Sequence, residues 1–518
     1  MRRYDVVVLG GAFAGSATAL LLKRSDPRLR VLIVEKREAF DRKVGESAIE
    51  LSTWFLTRVL RLDRHMFLEQ LPKYGQRYWF FKEGVTGLSG ASELGNKYQT
   101  RVPSFHVDRA RLDEHVHGLA RAEGVEVMRP AKVMDMQSQQ DGLSTLLLET
   151  PDGPQSVEAS WVVDGTGRTA WLARRMGLLE AVPEHPTHAV WARYTGTADL
   201  DGEWLPGREG QGAPIVSRGL STNHFTGLGW WVWIIPLPGG DVSVGVVWDE
   251  RLFDLPPGAN LADRFESFMR SYPAGMELMR NTRRREGDFR SLRHLPYRVR
   301  RIMGNGWAMV GDAAGFIDPF YSPGLDWAAC TISRTVSLIV DDLAAGGKPE
   351  TRRAAVERHS SMFTLSFERW LRALYVDKYY YMGDAELMEV ALRLEVALYY
   401  FGIVTPAYRE PHQRLIPPFS LPISWPFYAL IRGVNDRLAA LAKVRLAAGT
   451  YGRGNAGRRV MLGGFKLGPS SLRFVPGALA RLARLEIGSL PDRLAARRRR
   501  REELAGRPAA AMVGEKPR

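Results

Sequence analysis

Val6-Val7-Val8-Leu9-Gly10-Gly11-Ala12-Phe13-Ala14-Gly15-Ser16 stands near the start of the chain, and an acidic residue, Glu35, follows about twenty positions after the glycines. The β-branched run ending in Leu9 suits a buried parallel strand, and residues 14–23, rich in Ala and Leu, carry a helix pattern. Gly10, Gly11 and Gly15 fall in the turn between them. Without a Cβ they let backbone N–H groups approach a diphosphate at the helix N-terminus. Ala12 stands where GxGxxG has its middle glycine, and its methyl slightly crowds that approach. Residues 31–34 predict the second strand. Glu35 at its end is placed to hold a ribose hydroxyl, with Lys36 and Ala14 in the same binding set. The stretch reads as a nucleotide-binding turn, against the alternative of an ordinary βαβ start.

The chain has 518 residues, 45% hydrophobic and 25% charged, which excludes wholesale disorder and predicts two to four domains. Its only cysteine is Cys330, so an intrachain disulfide and a cysteine metal cluster are excluded and a reducing cytoplasm fits. Arg2 and Arg3 before an apolar run mimic a secretion signal, but the glycine turn explains that stretch better. Prolines and charges interrupt every candidate membrane span.

The net charge of +15 is uneven: residues 443–518 hold 18 Lys and Arg against 5 Asp and Glu, leaving 54 against 52 before them. Five arginines at 497–501 follow Leu479, Leu482, Leu485 and Leu490 at roughly helical spacing. The leading expectation for this terminus is a solvated or frayed end. The alternative is a peripheral contact with an anionic membrane or an acidic carrier protein. Nucleic acid is not expected, because no recognisable module accompanies the arginines.

Two further strand-and-glycine segments match the first turn. Ser160-Trp161-Val162-Val163-Asp164-Gly165-Thr166-Gly167-Arg168 runs from a strand into a turn. Ala308-Met309-Val310-Gly311-Asp312-Ala313-Ala314-Gly315-Phe316 predicts a strand, a tight turn and then a helix. Residues 74–106 and 187–295 are richer in aromatics and alternating patterns, which predicts an inserted antiparallel sheet. Helical periodicity marks 332–343, 361–374 and 386–400, whereas Pro417, Pro418, Pro422 and Pro426 break 415–426 into an irregular connection. The aromatics of 375–381 and 399–401 read as helical core rather than as contacts to a long apolar substrate.

Together the three segments resemble the FAD-dependent monooxygenase superfamily of the hydroxybenzoate hydroxylase type. The run from Val310 to Ala314, followed by Asp318 and Pro319, resembles the family's second flavin motif, whose Asp holds the ribityl chain. The resemblance gives that role to Asp312. The run Val107-Asp108-Arg109-Ala110-Arg111-Leu112-Asp113 resembles the helix start that completes the dinucleotide pocket, which places Arg109 on the diphosphate. The implied architecture is α/β: a discontinuous Rossmann-like FAD-binding domain (1–73, 107–186, 296–345) and an inserted antiparallel β-sheet substrate domain (74–106, 187–295). A helical C-terminal region (346–470) and a basic tail (471–518) follow.

A narrower resemblance points to flavin-dependent halogenases. Trp231-Val232-Trp233-Ile234-Ile235-Pro236 is similar to their WxWxIP string, and Lys43-Val44-Gly45-Glu46-Ser47 to their KVGES segment. Lys73 falls where phenol- and pyrrole-type members carry a reactive lysine; the alternative is a surface strand residue. The resemblance implies that FAD, reduced by a separate NAD(P)H:flavin reductase, yields hypohalous acid from oxygen and chloride or bromide. Lys73 then directs it onto an aromatic or polyene substrate, free or bound to an acyl or peptidyl carrier protein, in a cytoplasmic enzyme of secondary metabolism that can also lie at the inner face of the membrane. Ser47, Pro319 and Gly324 are expected beside the isoalloxazine or halide. Trp231, Trp233, Pro236, Ser322 and Pro323 are expected to wall substrate and halide off. Pro323 departs from a Ser or Thr and lacks the N–H that helps hold chloride, and Asp326 adds negative charge nearby. The alternatives are a hydroxylase or desaturase of the same fold, and a flavoprotein without turnover.

Overall fold

In the computed structural model the described residues are 1–99, 102–202, 216–409 and 415–505, with side chains through Arg499. Strand Arg2–Leu9 is fully buried over its last four residues, as its run of valines requires. It pairs in parallel with Val31–Val34 on one side and Gly153–Asp164 on the other. Trp307–Met309 lies parallel beyond Gly153–Asp164, and Glu126–Met128 beyond Val31–Val34. Strands Lys132–Ser138 and Ser144–Thr150 extend this sheet as an antiparallel meander. Leu9, Asp164 and Met309 stand in register, so the three glycine turns open at one edge, the carboxyl ends of the strands, where open α/β sheets bind their ligands.

The first turn leads into helix Phe13–Ser25. The third differs from expectation, because Gly311–Ala314 is a single 3-10 turn and the helix, Pro323–Ala344, begins nine residues further on. Gly315 sits at φ +129°, a conformation no helix continues, and Pro319 follows before the chain can turn again.

The second sheet carries Thr187–Thr195, Val242–Asp249, Trp230–Pro236, Thr222–Gly227, Gln76–Phe80 and Ser92–Asn96 in that spatial order. It is not wholly antiparallel: Thr222–Gly227 runs parallel to Gln76–Phe80. Nor is the C-terminal region wholly helical, since it adds strand Arg459–Leu462 parallel to Ser92–Asn96. Side chains alternate across strand Trp230–Pro236. Trp231, Trp233 and Ile235 enter the core shared with the first sheet, and Trp230, Val232 and Ile234 a separate one. A small sheet of Ser47–Ala48, Phe105–His106 and Leu71–Pro72 ties the two layers together.

The terminus is not frayed through the described residues. Helix Phe474–Gly488 buries Ala478 and Leu482, and Asp492 in the last helix, Leu490–Ala505, accepts hydrogen bonds from Thr450 and Arg453. Arg497, Arg498 and Arg499 are exposed, whereas the side chains of Arg500 and Arg501 lie outside the described residues. Trp425 and Pro426 open helix Trp425–Ala448 rather than extending the irregular connection, because proline is tolerated in a first helical turn. Among the described residues no helix is long and apolar enough to cross a membrane.

Candidate active site

The glycine turns surround a cleft of about 700 Å³. Gly10 has φ +88°, and a Cβ there would lie 2.8 Å from the Gly165 carbonyl oxygen. A Cβ on Gly15 would fall on the Gly10 carbonyl oxygen. These two glycines let strand, helix and second turn close up. Gly11 and Gly15 stand behind the surface; Gly10, Ala12, Ala14 and Lys36 line it. Glu35 accepts the Gly11 N–H at 2.6 Å and the Arg37 N–H at 2.8 Å, which fixes its carboxylate at the cleft.

Opposite, Asp108 caps helix Arg109–Ala122 and sends Arg109 into the cleft, where it pairs with Asp113 at 3.2 Å. Lys43 pairs with the same carboxylate. Burial pushes the Asp312 carboxyl up, while Arg168, Arg109 and Lys43 pull it down. A cradle that side chains would fill, three cations for phosphates and two carboxylates for sugar hydroxyls together suit FAD. Sequence reading missed the support beneath it. Glu46 accepts Arg193 at 2.8 Å, and Arg193 also reaches Asp108 at 3.3 Å, so a buried ion cluster braces the turn after Gly45. Trp231 and Trp233 line the sheet side of the cleft, where Trp231 donates to Tyr379 at 2.8 Å and Tyr379 to Asp318 at 2.9 Å. Neither tryptophan reaches the second cavity, so they do not divide the two compartments. Pro236 ends its strand outside both.

That second cavity, about 900 Å³, is the larger. The partition between them is made of two pieces. One is Ser47, facing the cleft, with Lys73, facing the chamber: the Lys73 Nζ donates to Ser47 Oγ at 2.6 Å. The other is residues 319–326, where Pro319, Ser322 and Gly324 face the cleft and Tyr321, Pro323 and Asp326 face the chamber. Tyr321 (φ +72°) and Ser322 (φ +59°) are both left-handed, at a cost of about 1–3 kcal/mol each. The packing of Tyr321 against Phe320 and Lys378 holds the first of them in place.

Lys73 is not a surface residue: it is 2% exposed, and burial lowers its pKa to about 8 against the pull of Glu50 and Asp326. Asp326 does not face the cleft. It accepts the Ser52 N–H at 2.8 Å and the Tyr399 hydroxyl at 3.0 Å, and burial lifts its pKa to about 7. Tyr399, Tyr400 and Phe401, read from sequence as core, line the chamber.

A family model described as tryptophan halogenase matches residues 5–83 and 89–369. The curated relatives include a flavin-dependent halogenase of Dictyostelium discoideum, 25% identical over 81% of this chain and 73% of that protein. Another is a 1H-pyrrole-2-carbonyl peptidyl-carrier-protein chlorinase of Pseudomonas fluorescens, 24% identical over 63% of this chain and 73% of that protein. The solved structure of halogenase PltM in complex with phloroglucinol and FAD shares the fold at TM-score 0.70 and 17% identity, over 93% of this chain and 96% of that one. The chain belongs to the tryptophan halogenase family of FAD-dependent enzymes.

Proposed function

We propose that the protein halogenates an electron-rich aromatic substrate in the larger chamber, with Lys73 carrying the reactive halogen. The observation that supports this is the position of Lys73, buried on the partition with its amine on the Ser47 hydroxyl. Gly10, Ala12, Glu35, Lys36, Arg109 and Asp312 would hold FAD, with Ser47, Pro319 and Gly324 toward its reactive ring. FAD, reduced by a separate flavin reductase, would supply the two electrons that activate oxygen, and the activated oxygen would oxidise halide to hypohalous acid. Across the cycle, reduced flavin, oxygen, halide, a proton and an aromatic C–H become oxidised flavin, a carbon–halogen bond and two waters.

The chain's own part begins at the partition. Burial lowers the Lys73 pKa to about 8, so near neutral pH far more of its amine is neutral than for an exposed lysine, and a neutral amine is the form that takes halogen. The amine forms an N–halogen bond as water leaves; the ring then takes the halogen and returns its proton to the amine. Tyr321, Pro323 and Asp326 keep the substrate on the chamber side, out of reach of flavin oxygen chemistry. Halide would lie at the N-terminus of helix Pro323–Ala344. Pro323 has no N–H and the Ser322 N–H is bound to Pro319, so Gly324 and Leu325 supply the donors.

That thinned donor set also favours a second reading, oxygen insertion by the same flavin. Mass spectrometry of the product made with a reductase, NADH, oxygen and bromide separates the two: bromine in the product supports halogenation, oxygen alone supports the second reading. Exposed Arg497, Arg498 and Arg499 on the last helix support a peripheral contact with anionic lipid. Replacing all three by Gln should then abolish co-sedimentation with phosphatidylglycerol vesicles.

A further inference from the structure

The chamber changes character along its length. At the buried end stand Lys73, Glu50, Gln76 and Asp326. From there the wall is made by Leu392 and Val396 of helix Ala385–Tyr399, Phe401 and Ile403 of the following turn, and Phe427 and Ile431 of helix Trp425–Ala448. Glu395 also touches this wall, but its carboxylate is committed to Lys378 at 3.0 Å and Asn435 at 2.8 Å. The outer rim carries Ile416, Leu421 and Ile423, which are 39%, 38% and 79% exposed. Large apolar side chains collected at the rim of an apolar cavity mark a binding surface rather than ordinary exposure.

A single aromatic ring beside Lys73 would leave most of a cavity of about 900 Å³, at the upper end of the range for small-molecule sites, as apolar wall facing water. We infer that the chamber takes an amphiphilic phenol, its ring at Lys73 and a long hydrocarbon chain laid along Val396, Phe401 and Ile431 toward the rim. The inference rests on the halogenase reading for the reaction at the ring, and on the chamber alone for the chain. A carrier-tethered ring would lay the amides of its arm against the same wall, which offers them no partner along those three residues.

The test is a homologous series of 4-alkylphenols, from methyl to undecyl, each below its micellar concentration. Equilibrium binding to the purified protein is measured without reductase, and halogenation is measured with reductase, NADH, oxygen and bromide. Each methylene that reaches the wall should tighten Kd about twofold to fourfold, with kcat/KM rising in parallel. Val396→Trp should flatten that dependence. Ile423→Ser, at a position too exposed to threaten folding, should weaken only the longest members. A Kd indifferent to chain length, or a dependence unchanged by both substitutions, overturns the inference even where short phenols are halogenated. Graded binding with no halogenation of any member upholds the chamber's ligand class and overturns the halogenase reading instead.

Discussion

The Lys73 amine and the Ser47 hydroxyl meet at 2.6 Å across a wall whose two sides belong to different cavities. Their backbones are held there by the same small sheet: Ser47 pairs with His106, and the Lys73 N–H bonds the Ser104 carbonyl. Anything passing from the cleft to the chamber at this point must pass the lysine.

Activity should rise with pH through a titration near 8, because burial lowers Lys73 to that value and the neutral amine is the working form. Lys73→Arg, which keeps a permanent charge, should abolish halogenation. A rate that falls through the same pH, with Arg active, would make the residue a cationic hydrogen-bond donor instead.

Stability should respond to the two buried groups with opposite signs. Lys73 sheds its proton earlier when folded, so the unfolded chain binds more protons between about pH 8 and 10.5 and stability rises with pH across that window. Below it, the folded protein carries a penalty of about 3 kcal/mol. Asp326 holds its proton longer when folded, so stability falls as pH rises from about 4 to 7. Urea unfolding across pH should show Asp326→Asn flattening the acid limb, and Lys73→Met removing the alkaline rise.

Gly15→Ala should destabilise the protein by about 3 kcal/mol or more, since the new methyl meets the Gly10 carbonyl and neither backbone can yield. Bound flavin should fall with it. Reconstitution with FAD, scored by absorbance and by Tm, checks both; full flavin at an unchanged Tm would mean that the turn opens freely.

The halide site proposed at the start of helix Pro323–Ala344 is short of a donor. Bromide, which gives up its water more readily, should therefore outcompete chloride in kcat/KM. Pro323→Ser restores an N–H at the first helical position and should lower the KM for chloride about fivefold or more. An unchanged KM would place the halide elsewhere.

Much of the cofactor cleft is legible in the chain because its signals are local. A run of valines, glycines at fixed offsets and an acidic residue one strand later each specify their own backbone, and Arg2–Leu9, Val31–Val34 and Gly153–Asp164 stand side by side as their patterns require. The contact across the partition is not legible in the residue pattern, although the resemblance points to Ser47, Lys73, Ser322 and Pro323. Lys73 and Ser47 are 26 residues apart and joined through strands of two residues, too short to show periodicity. That Asp326 lines the chamber while Gly324 lines the cleft is not legible, because neighbouring residues at a helix start face opposite cavities and only the packing decides which. The helical repeat over 386–400 is legible, but the π-turn after it and the proline-broken link obscure which of its residues, with 401–431, face a cavity rather than core. The C-terminal leucines read equally as a surface stripe or a buried one. What decides is helix Ala385–Tyr399, against which helix Phe474–Gly488 packs with Leu482 buried.

On the proposed route, hypohalous acid formed in one cavity is handed to substrate in the other by Lys73. This transfer is tested most directly by isotope-resolved mass spectrometry of products from wild type and Lys73→Met, both saturated with FAD and supplied with reductase, NADH, labelled oxygen and bromide. Brominated product is expected from wild type, and from Lys73→Met at least about a hundredfold less, with free hypobromous acid trapped in solution. Labelled oxygen in the product, in equal amount from both proteins and without bromine, would contradict it.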